Sequence, residues 1–539
     1  MEPSSDAEAP SYPHVPIHEI LEQIQANDRG KPRKQVVILG AGMAGLVAGY
    51  ELRRLGHHVE VLEASSRVGG RVMTHHFADG TYAELGAMRV PASHDYTHYY
   101  VHQMGLDPKW IPFINSTNRC FWDLHDVIAR KDQAQAQIYP RFSFSETLKK
   151  KYPSGGAILG ALEDSLIDTL TEAEKAAMFA GRADTDFLTY LSTVSLGDFL
   201  AQGAGADTRT VIGVFTSLEV WWDKALSMFL RDEMVGTGTG LQTLEGGLSQ
   251  LPDGVGEELG KLGGVLRKDQ EVLRIQRREH GAEITVRDRK SGEIENRECD
   301  YLFCTIPFSV LRRLELADFS YGKLSAIRGM TYANATKVAL DCRERFWQRP
   351  PYGIFGGSSI SDHVQRQTYY PMDKLPHITR AAAPLAAFAQ TPRRYAGLHS
   401  SAIDDPRIDQ AALRGISAEE SAGIPGALLG AYCWDQDARR LGAVGDAERA
   451  RVVVEGIRRF HPEIESYVVD HASIDWEEFE WTGGAFAFLR PGELEAFFDD
   501  AIRPEGRVFF AGEHCSTDQG WIQGALIASL RAVDQLVSR

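Results

Sequence analysis

The clearest hydrophobic pattern along the chain starts with the apolar run Val36-Val37-Ile38-Leu39, continues through the glycine-rich Gly40-Ala41-Gly42-Met43-Ala44-Gly45, and becomes a stretch of helical periodicity to about Gly56. A second run, Val59-Glu60-Val61-Leu62, closes on Glu63. Short apolar runs bounded by turn residues read as buried strands and the longer period as a helix, so the region predicts strand, helix, strand. Before it, Met1 to Pro16 is acidic and proline-rich and predicts no order, Ile17 to Ile24 reads as a short amphipathic helix, and Lys31-Pro32-Arg33-Lys34 reads as a turn. From about 115 to 230 the pattern is helical, with Ile158, Leu159, Leu162, Leu166 and Leu170 on one stripe. Strand patterns follow at Glu271 to Ile275, Glu283 to Val286 and Tyr301 to Thr305. Residues 320 to about 455 read as antiparallel sheet with helices, including Lys337-Val338-Ala339-Leu340 and Gly426 to Trp434. The run ends with Val508-Phe509-Phe510-Ala511-Gly512-Glu513 and a helix from Trp521 to Val537, and no internal repeat is found.

The first strand, helix and strand carry chemistry. Gly40 permits a tight turn, Gly42 lets backbone approach a pyrophosphate, and Gly45 lets the helix lie close on the strand, with the helix N-terminus facing the phosphates. Glu63 stands 23 residues after Gly40, where a carboxylate accepts hydrogen bonds from the adenosine ribose hydroxyls and repels a 2′-phosphate. NADP is thereby disfavoured. Beyond it, Ala64-Ser65-Ser66-Arg67-Val68-Gly69-Gly70-Arg71 adds two glycines and two arginines, and an arginine there can neutralise a pyrophosphate.

A length of 539 residues calls for two or three domains. The balance of 43% hydrophobic and 24% charged residues is that of a globular protein, and the net charge of −16 argues against nucleic acid or an anionic membrane as partner. Cys120, Cys299, Cys304, Cys342, Cys433 and Cys515 lack metal-ligand or disulfide-framework spacing, so no metal is expected. No apolar run reaches the roughly 20 residues of a membrane span, and the start of the chain lacks a signal-peptide pattern. The expected location is cytoplasmic, with secretion left open through a removed leader.

Glu63 to Arg71, together with Glu84-Leu85-Gly86-Ala87-Met88-Arg89 and Phe510-Ala511-Gly512-Glu513, resembles the flavin amine oxidase superfamily, and the Gly-Ala-Met-Arg run resembles its L-amino acid oxidase branch. The similarity covers nearly all of residues 34 to 539 and is weakest in the helical insertion. It implies an α/β and α+β multidomain fold. A Rossmann-like, glutathione-reductase-like FAD-binding domain would take residues 34–95, 235–318 and 465–539. A mixed-sheet substrate domain would take 96–114 and 319–464, a helical domain 115–234, and an N-terminal extension 1–33. The implied cofactor is FAD. It would be held non-covalently, because Ala485 stands where monoamine oxidases carry the flavin-linking cysteine.

By the same resemblance, Gly40 to Gly45, Glu63, Ala64, Ser65, Gly70, Arg71, Gly86, Ala87, Met88, Arg89, Val272, Gly512, Glu513, Gly520, Trp521 and Ile522 would contact the cofactor. Val272 matches a backbone contact to adenine and Glu513 an acid at the ribityl or pyrophosphate region. The helix beginning near Trp521 would aim its positive end at the flavin. Arg89 matches the residue that clamps a substrate α-carboxylate, for which a planar guanidinium fork suits two oxygens. Tyr370 resembles the tyrosine that adds a third hydrogen bond, with adjacent Tyr369 as its rival. Lys337 matches the lysine that holds a water beside flavin N5. An edge-strand or snorkelling lysine is the alternative. Gly520 and Trp521 match the positions where a carbonyl meets the substrate amine and a ring forms a wall, and Phe486 would add an apolar surface.

Side-chain selection is less constrained. Several amino acid oxidases place a histidine where this chain has Arg231. Pointing inward, Arg231 would pair with an acidic substrate side chain; pointing outward, the expected orientation, it would pair with Asp232 or Glu233. Trp221 and Trp222 would line a pocket for large apolar side chains or pack in the core. The expected activity is L-amino acid oxidation with dioxygen, giving a 2-oxo acid, ammonia and hydrogen peroxide, by a homodimer or higher homo-oligomer. The competing readings are an amino acid 2-monooxygenase, an amine or polyamine oxidase, and a non-catalytic flavin-binding module.

Overall fold

The computed structural model of the protein describes residues 15–238, 240–371, 373 and 423–539. Residues 1–14 of the acidic, proline-rich start and 374–422 of the 319–464 segment lie outside the described residues.

A parallel five-stranded sheet is laid down in the order Val508–Phe510, Tyr301–Cys304, Gln35–Leu39, His58–Leu62, Val265–Arg267. Its strands are short and largely apolar because helices and a four-stranded sheet (Ile294–Cys299, Gly281–Asp288, Gln270–Arg278, Glu315–Ala317) pack against it and share its core. Helix Met43–Arg54 follows the first strand and packs with helix Ile522–Val537 and helix Gln250–Lys261 in one continuous core. Helix Ile17–Asp28 runs one turn beyond its predicted end. It docks on the terminal helix through Gln23 Nε2 and Asn27 Nδ2, which donate to Asp534 at 3.0 and 2.8 Å.

A second sheet of the described residues has seven strands, ordered Val468–Asp475, Ala335–Cys342, Gly426–Trp434, Gln367–Tyr369, Ser358–Ser361, Phe121–Leu124, Val127–Arg130. It is mixed: Ser358–Ser361 pairs in parallel with Phe121–Leu124 and the other neighbours are antiparallel. Two of these memberships correct the expected boundaries. Phe121 to Arg130, read as helical from sequence, is a hairpin whose two turn residues, His125 and Asp126, take φ of 52° and 56°, the geometry a tight two-residue turn demands. Val468–Asp475, assigned to the nucleotide-binding segment, is the edge strand of the mixed sheet. Conversely, helix Asp95–Gln103 buries Tyr96, Tyr100 and Val101 in the nucleotide-binding core, not against the mixed sheet.

Between residues 131 and 234 the chain is helical with its own core, which includes Ile158, Leu159 and Leu170 from the predicted stripe. Its last helix, Leu226–Met234, is buried along its whole length, with Met228 in the nucleotide-binding core and Leu226, Phe229, Leu230 and Met234 in the core of the helical unit. Among the described residues no helix is long and apolar enough to cross a membrane.

Candidate functional site

A cavity of about 520 Å³ runs from the Gly40 turn to the helical unit. It is lined by every residue expected to touch the cofactor except Ala41 and Gly45. The two exceptions have evident structural roles. Ala41 is fully buried, and its N–H donates to Glu63 Oε2 at 2.7 Å. A Cβ on Gly45 would lie 2.0 Å from the carbonyl oxygen of Gly40, so only glycine permits this closeness of helix and turn. Gly42, by contrast, has no atom within 4 Å of where a Cβ would stand, which leaves space over the N-terminus of helix Met43–Arg54 for a phosphate group.

Glu63 takes backbone N–H groups on both carboxylate oxygens, from Ala41 and from Ser65 (2.9 Å), and so is held at the end of its strand facing the cavity. Arg71 lines the cavity too, but its Nη1 donates to Glu513 Oε1 at 2.6 Å. Glu513 also accepts from the N–H groups of Ala487 and Gly520, at 3.2 and 3.1 Å. The residues therefore fit a dinucleotide: a helix N-terminus with open space above it, a fixed carboxylate at the end of the second strand, and Val272 in the same lining.

At the other end stands Arg89, half-buried in the wall. Its Nη1 donates to Asn115 Oδ1 at 2.8 Å and to the Tyr369 hydroxyl at 3.4 Å, and the guanidinium carbon lies 5.8 Å from the centre of the Phe113 ring. The Tyr369 hydroxyl lies 3.1 Å from Asn115 Oδ1 and 2.9 Å from Gln367 Oε1 and donates its single proton to one of them. All of these partners are neutral, and among the described residues no carboxylate forms an ion pair with Arg89. A cation left with neutral neighbours in a cavity wall is a receptor for an external anion.

Here the structure corrects the tyrosine. Tyr370 does not line the cavity; its hydroxyl meets Ser359 Oγ and His461 Nε2, both at 2.8 Å, in the core on the other side of the sheet. Burial holds His461 neutral, pushing it down to about 3. Strand parity explains the exchange: successive side chains point to opposite faces, so Gln367 and Tyr369 face the cavity and Tyr370 faces away.

Lys337 lies on the fully buried strand Ala335–Cys342, flanked on both sides by other strands, so it is neither an edge residue nor a snorkelling one. Its Nζ donates to the carbonyls of Gly86 (2.6 Å) and Glu84 (3.2 Å) and to Met88 Sδ (3.3 Å), with the Tyr432 ring centre 4.3 Å away. These three acceptors match the three N–H groups of an ammonium, so a water on Lys337 would have to displace the thioether, the weakest of them. Burial lowers the pKa of Lys337 and raises that of the enclosed Glu84 carboxyl nearby.

The wall facing the helical unit is aromatic. Trp221 packs on Phe486 (centroids 5.1 Å), Phe486 on Trp434 (5.4 Å) and Trp434 on Tyr432 (4.3 Å), and all four line the cavity. Trp222 does not line it. Trp222 packs against Gly197 and Gly213 in the helical unit. Arg231 is absent from the lining as well and is 2% exposed, so it points neither to solvent nor into the cavity. Its guanidinium donates to Asp518 Oδ2 at 2.7 Å and to the Thr517 carbonyl at 2.8 Å, and its Nη1 lies 3.6 Å from Asp232 Oδ1, so the expected ion pair with Asp232 is present but in the interior. Asn115, Gln367, Tyr432 and Trp434 were not singled out from sequence; alternation along Gly426–Trp434 puts Tyr432 and Trp434 on one face, a signal that was present, whereas nothing local marks Asn115. Among the described residues no group of three or more His, Cys, Asp or Glu is placed to hold a metal ion.

Residues 43–537 match the family described as flavin containing amine oxidoreductase. The chain is 34% identical over 517 residues to the flavin-dependent L-tryptophan oxidase RebO of Lentzea aerocolonigenes, an alignment covering 93% of this chain and 97% of the relative. It is 26% identical to the putative L-amino-acid oxidase YobN of Bacillus subtilis, covering 92% of this chain and 93% of that one. The cyclohexylamine oxidase of Brevibacterium oxydans superimposes with a TM-score of 0.67 over 94% of this chain and 99% of its own, at 17% identity, which shows a shared fold.

Proposed function

We propose that this chain, which belongs to the flavin-containing amine oxidoreductase family and has FAD as its cofactor, is an L-amino acid oxidase acting on large apolar and aromatic side chains. The observation that carries the reading is Arg89, a cavity arginine whose hydrogen-bond partners among the described residues are neutral. An amine without a carboxylate would leave that charge unanswered in a desolvated site. Arg89 and Tyr369 grip the substrate carboxylate, Gly520 and Trp521 meet the amine end, and the wall of Trp221, Phe486 and Trp434 takes the side chain.

Holding carboxylate and side chain at once fixes the direction of the Cα–H bond, and such orientation supplies much of the rate. The amine must be neutral, because its lone pair forms the C=N bond as the Cα hydrogen leaves with its electron pair. When bound, FAD would supply the two-electron acceptor for that hydride and the means of reducing dioxygen, with two protons, to hydrogen peroxide. Water then converts the imino acid to the 2-oxo acid and ammonia. The neutral-amine requirement sets a sign: kcat/KM should rise with pH across the neutral range, and a fall over that range in the rate of flavin bleaching would contradict the mechanism.

The experiment that tests the reading is anaerobic mixing of the FAD-loaded protein with L-phenylalanine, L-tryptophan and their decarboxylated amines. Bleaching of the oxidised-flavin absorbance by the amino acids alone is expected. Bleaching by the amines, or by neither, would overturn it. An amide and carbon dioxide among the aerobic products, in place of 2-oxo acid and ammonia, would move the protein to the monooxygenase class.

The tyrosine exchange gives a second expectation. Tyr369→Phe removes one charge-assisted hydrogen bond of about 1.5–3 kcal/mol and should raise KM roughly ten- to a hundredfold. Tyr370→Phe should leave KM unchanged and lower the thermal midpoint, since the partners of its hydroxyl among the described residues are Ser359 and His461, away from the cavity.

A further inference from the structure

The buried pair Arg231–Asp518 belongs to none of the roles above, although both residues are 2% exposed and their carriers lie far apart in sequence. Arg231 sits on helix Leu226–Met234, whose Phe229, Asp232 and Glu233 form part of the cavity wall. Asp518 sits in the segment from Thr517 to Trp521 that leads into the terminal helix. The guanidinium uses two different nitrogens, Nη1 on the Thr517 carbonyl and Nη2 on the Asp518 carboxylate, so it grips main chain and side chain of the same segment. A planar fork held at two points fixes direction as well as distance.

What that segment carries makes the grip consequential. The Asp518 carbonyl packs under the first turn of the terminal helix, where a Cβ on Gly524 would come within 2.1 Å of it. Two residues further on, Gly520 has φ of +84° and donates its N–H to Glu513 at 3.1 Å, and Trp521 packs edge-on against His94 at 5.0 Å. The segment is thus pinned from two sides, by Glu513 of the nucleotide-binding fold and by Arg231 of the helical unit.

We propose that Arg231 is a positioning residue, a latch by which the helical unit holds Gly520 and Trp521 at the amine end of the substrate. This rests on the amino acid oxidase reading for the identity of the amine, but the latch itself is a property of the apoprotein. It assigns Arg231 no contact with substrate, so the preference among side chains does not depend on it. Arg89 stands on a different segment with its own partners, so the carboxylate grip is independent of the latch.

Three measurements on the full chain, wild type and variants, test this. Removing one partner alone would strand a buried charge, so the principal variant is the double substitution R231M/D518L, which replaces the pair by apolar groups, an exchange that commonly leaves stability near neutral. Asp232, also 3.6 Å from Arg231, keeps its ion pair with Lys224 in that variant. R231K, which keeps the charge and gives up the fork, is the second variant and suffices where the first does not fold. Amide hydrogen exchange is expected to quicken over residues 517–521 and to stay unchanged over 35–45. Unchanged exchange over 517–521 overturns the latch whatever the protein oxidises. In anaerobic mixing, the limiting rate of bleaching by L-phenylalanine and L-tryptophan should fall by a common factor of about tenfold or more. The dissociation constant of 3-phenylpropanoate, which has the carboxylate and ring but no amine, should stay within about twofold, because a displaced amine end leaves the carboxylate grip intact. A change in the ratio of rates with L-glutamate and L-phenylalanine would instead make Arg231 a side-chain reader, and a parallel loss of 3-phenylpropanoate binding would mean general damage to the cavity; either result rejects the proposal. Failure of the wild type to bleach with any L-amino acid rejects the oxidase reading and leaves the exchange result to decide the latch.

Discussion

Arg89→Ala should lower kcat/KM for L-phenylalanine or L-tryptophan by about two to three orders of magnitude, most of it through KM. Breaking one side of a desolvated ion pair costs about 3–5 kcal/mol, and each 1.4 kcal/mol is tenfold in affinity. The magnitude is large because the neighbours of Arg89 cannot replace it: Asn115 and Tyr369 are neutral, Lys337 is held by the Gly86 and Glu84 carbonyls, and Arg71 is bound to Glu513. Arg89→Lys should recover only part of the loss, since an ammonium restores the charge but not the two parallel hydrogen bonds. Steady-state kinetics decide it, and a KM unmoved by Arg89→Ala would remove the carboxylate grip from the mechanism.

Lys337→Met should slow the oxygen-consuming half of turnover by about a hundredfold, the scale of losing a preorganised positive donor where negative charge develops. Lys337 is placed for this by Gly86, Glu84 and Met88, which hold the ammonium at the cavity wall. Because burial depresses its pKa, the charge is lost at a lower pH than for a free lysine. Rising pH therefore drains the cation and slows reoxidation, opposite in sign to the amine requirement of the first half-reaction. Mixing pre-reduced protein with oxygenated buffer over a range of pH isolates the effect. Equal rates for Lys337→Met and wild type would show that the lysine serves packing alone.

The parts of the fold legible in the sequence are those whose signal is local. Val36 to Glu63 carries turn, period and terminal acid in consecutive residues, and its strand and helix limits differ from the observed ones by a residue or two. The strand Gly426–Trp434 and the helix Ile522–Val537 were visible for the same reason. Sheet membership was not, because it is decided by partners remote in sequence. Phe121–Leu124 finds Ser358–Ser361, and Val468–Asp475 finds Ala335–Cys342. The choice between Tyr369 and Tyr370 turned on a single step of register, which moves a side chain through the whole thickness of a sheet. Arg231 escaped because its partner lies 287 residues away. A charged residue in a helical segment reads as exposed until that partner is known.

The five-stranded sheet also sets a schedule for how the protein can be made. Its central strand, Gln35–Leu39, is among the earliest ordered parts of the chain to be synthesised, yet its neighbour Tyr301–Cys304 arrives only after the helical unit, and the edge strand Val508–Phe510 arrives after almost everything else. Glu513, Trp521 and Ile522, which close the cavity, come later still. While the ribosome is at work, the helical unit can gather its own core, but the nucleotide-binding turn waits with its sheet incomplete and its apolar faces uncovered. Cofactor capture is thereby reserved for a chain translated through the terminal helix, and a nascent chain cut short before Val508 has no means of sealing the site.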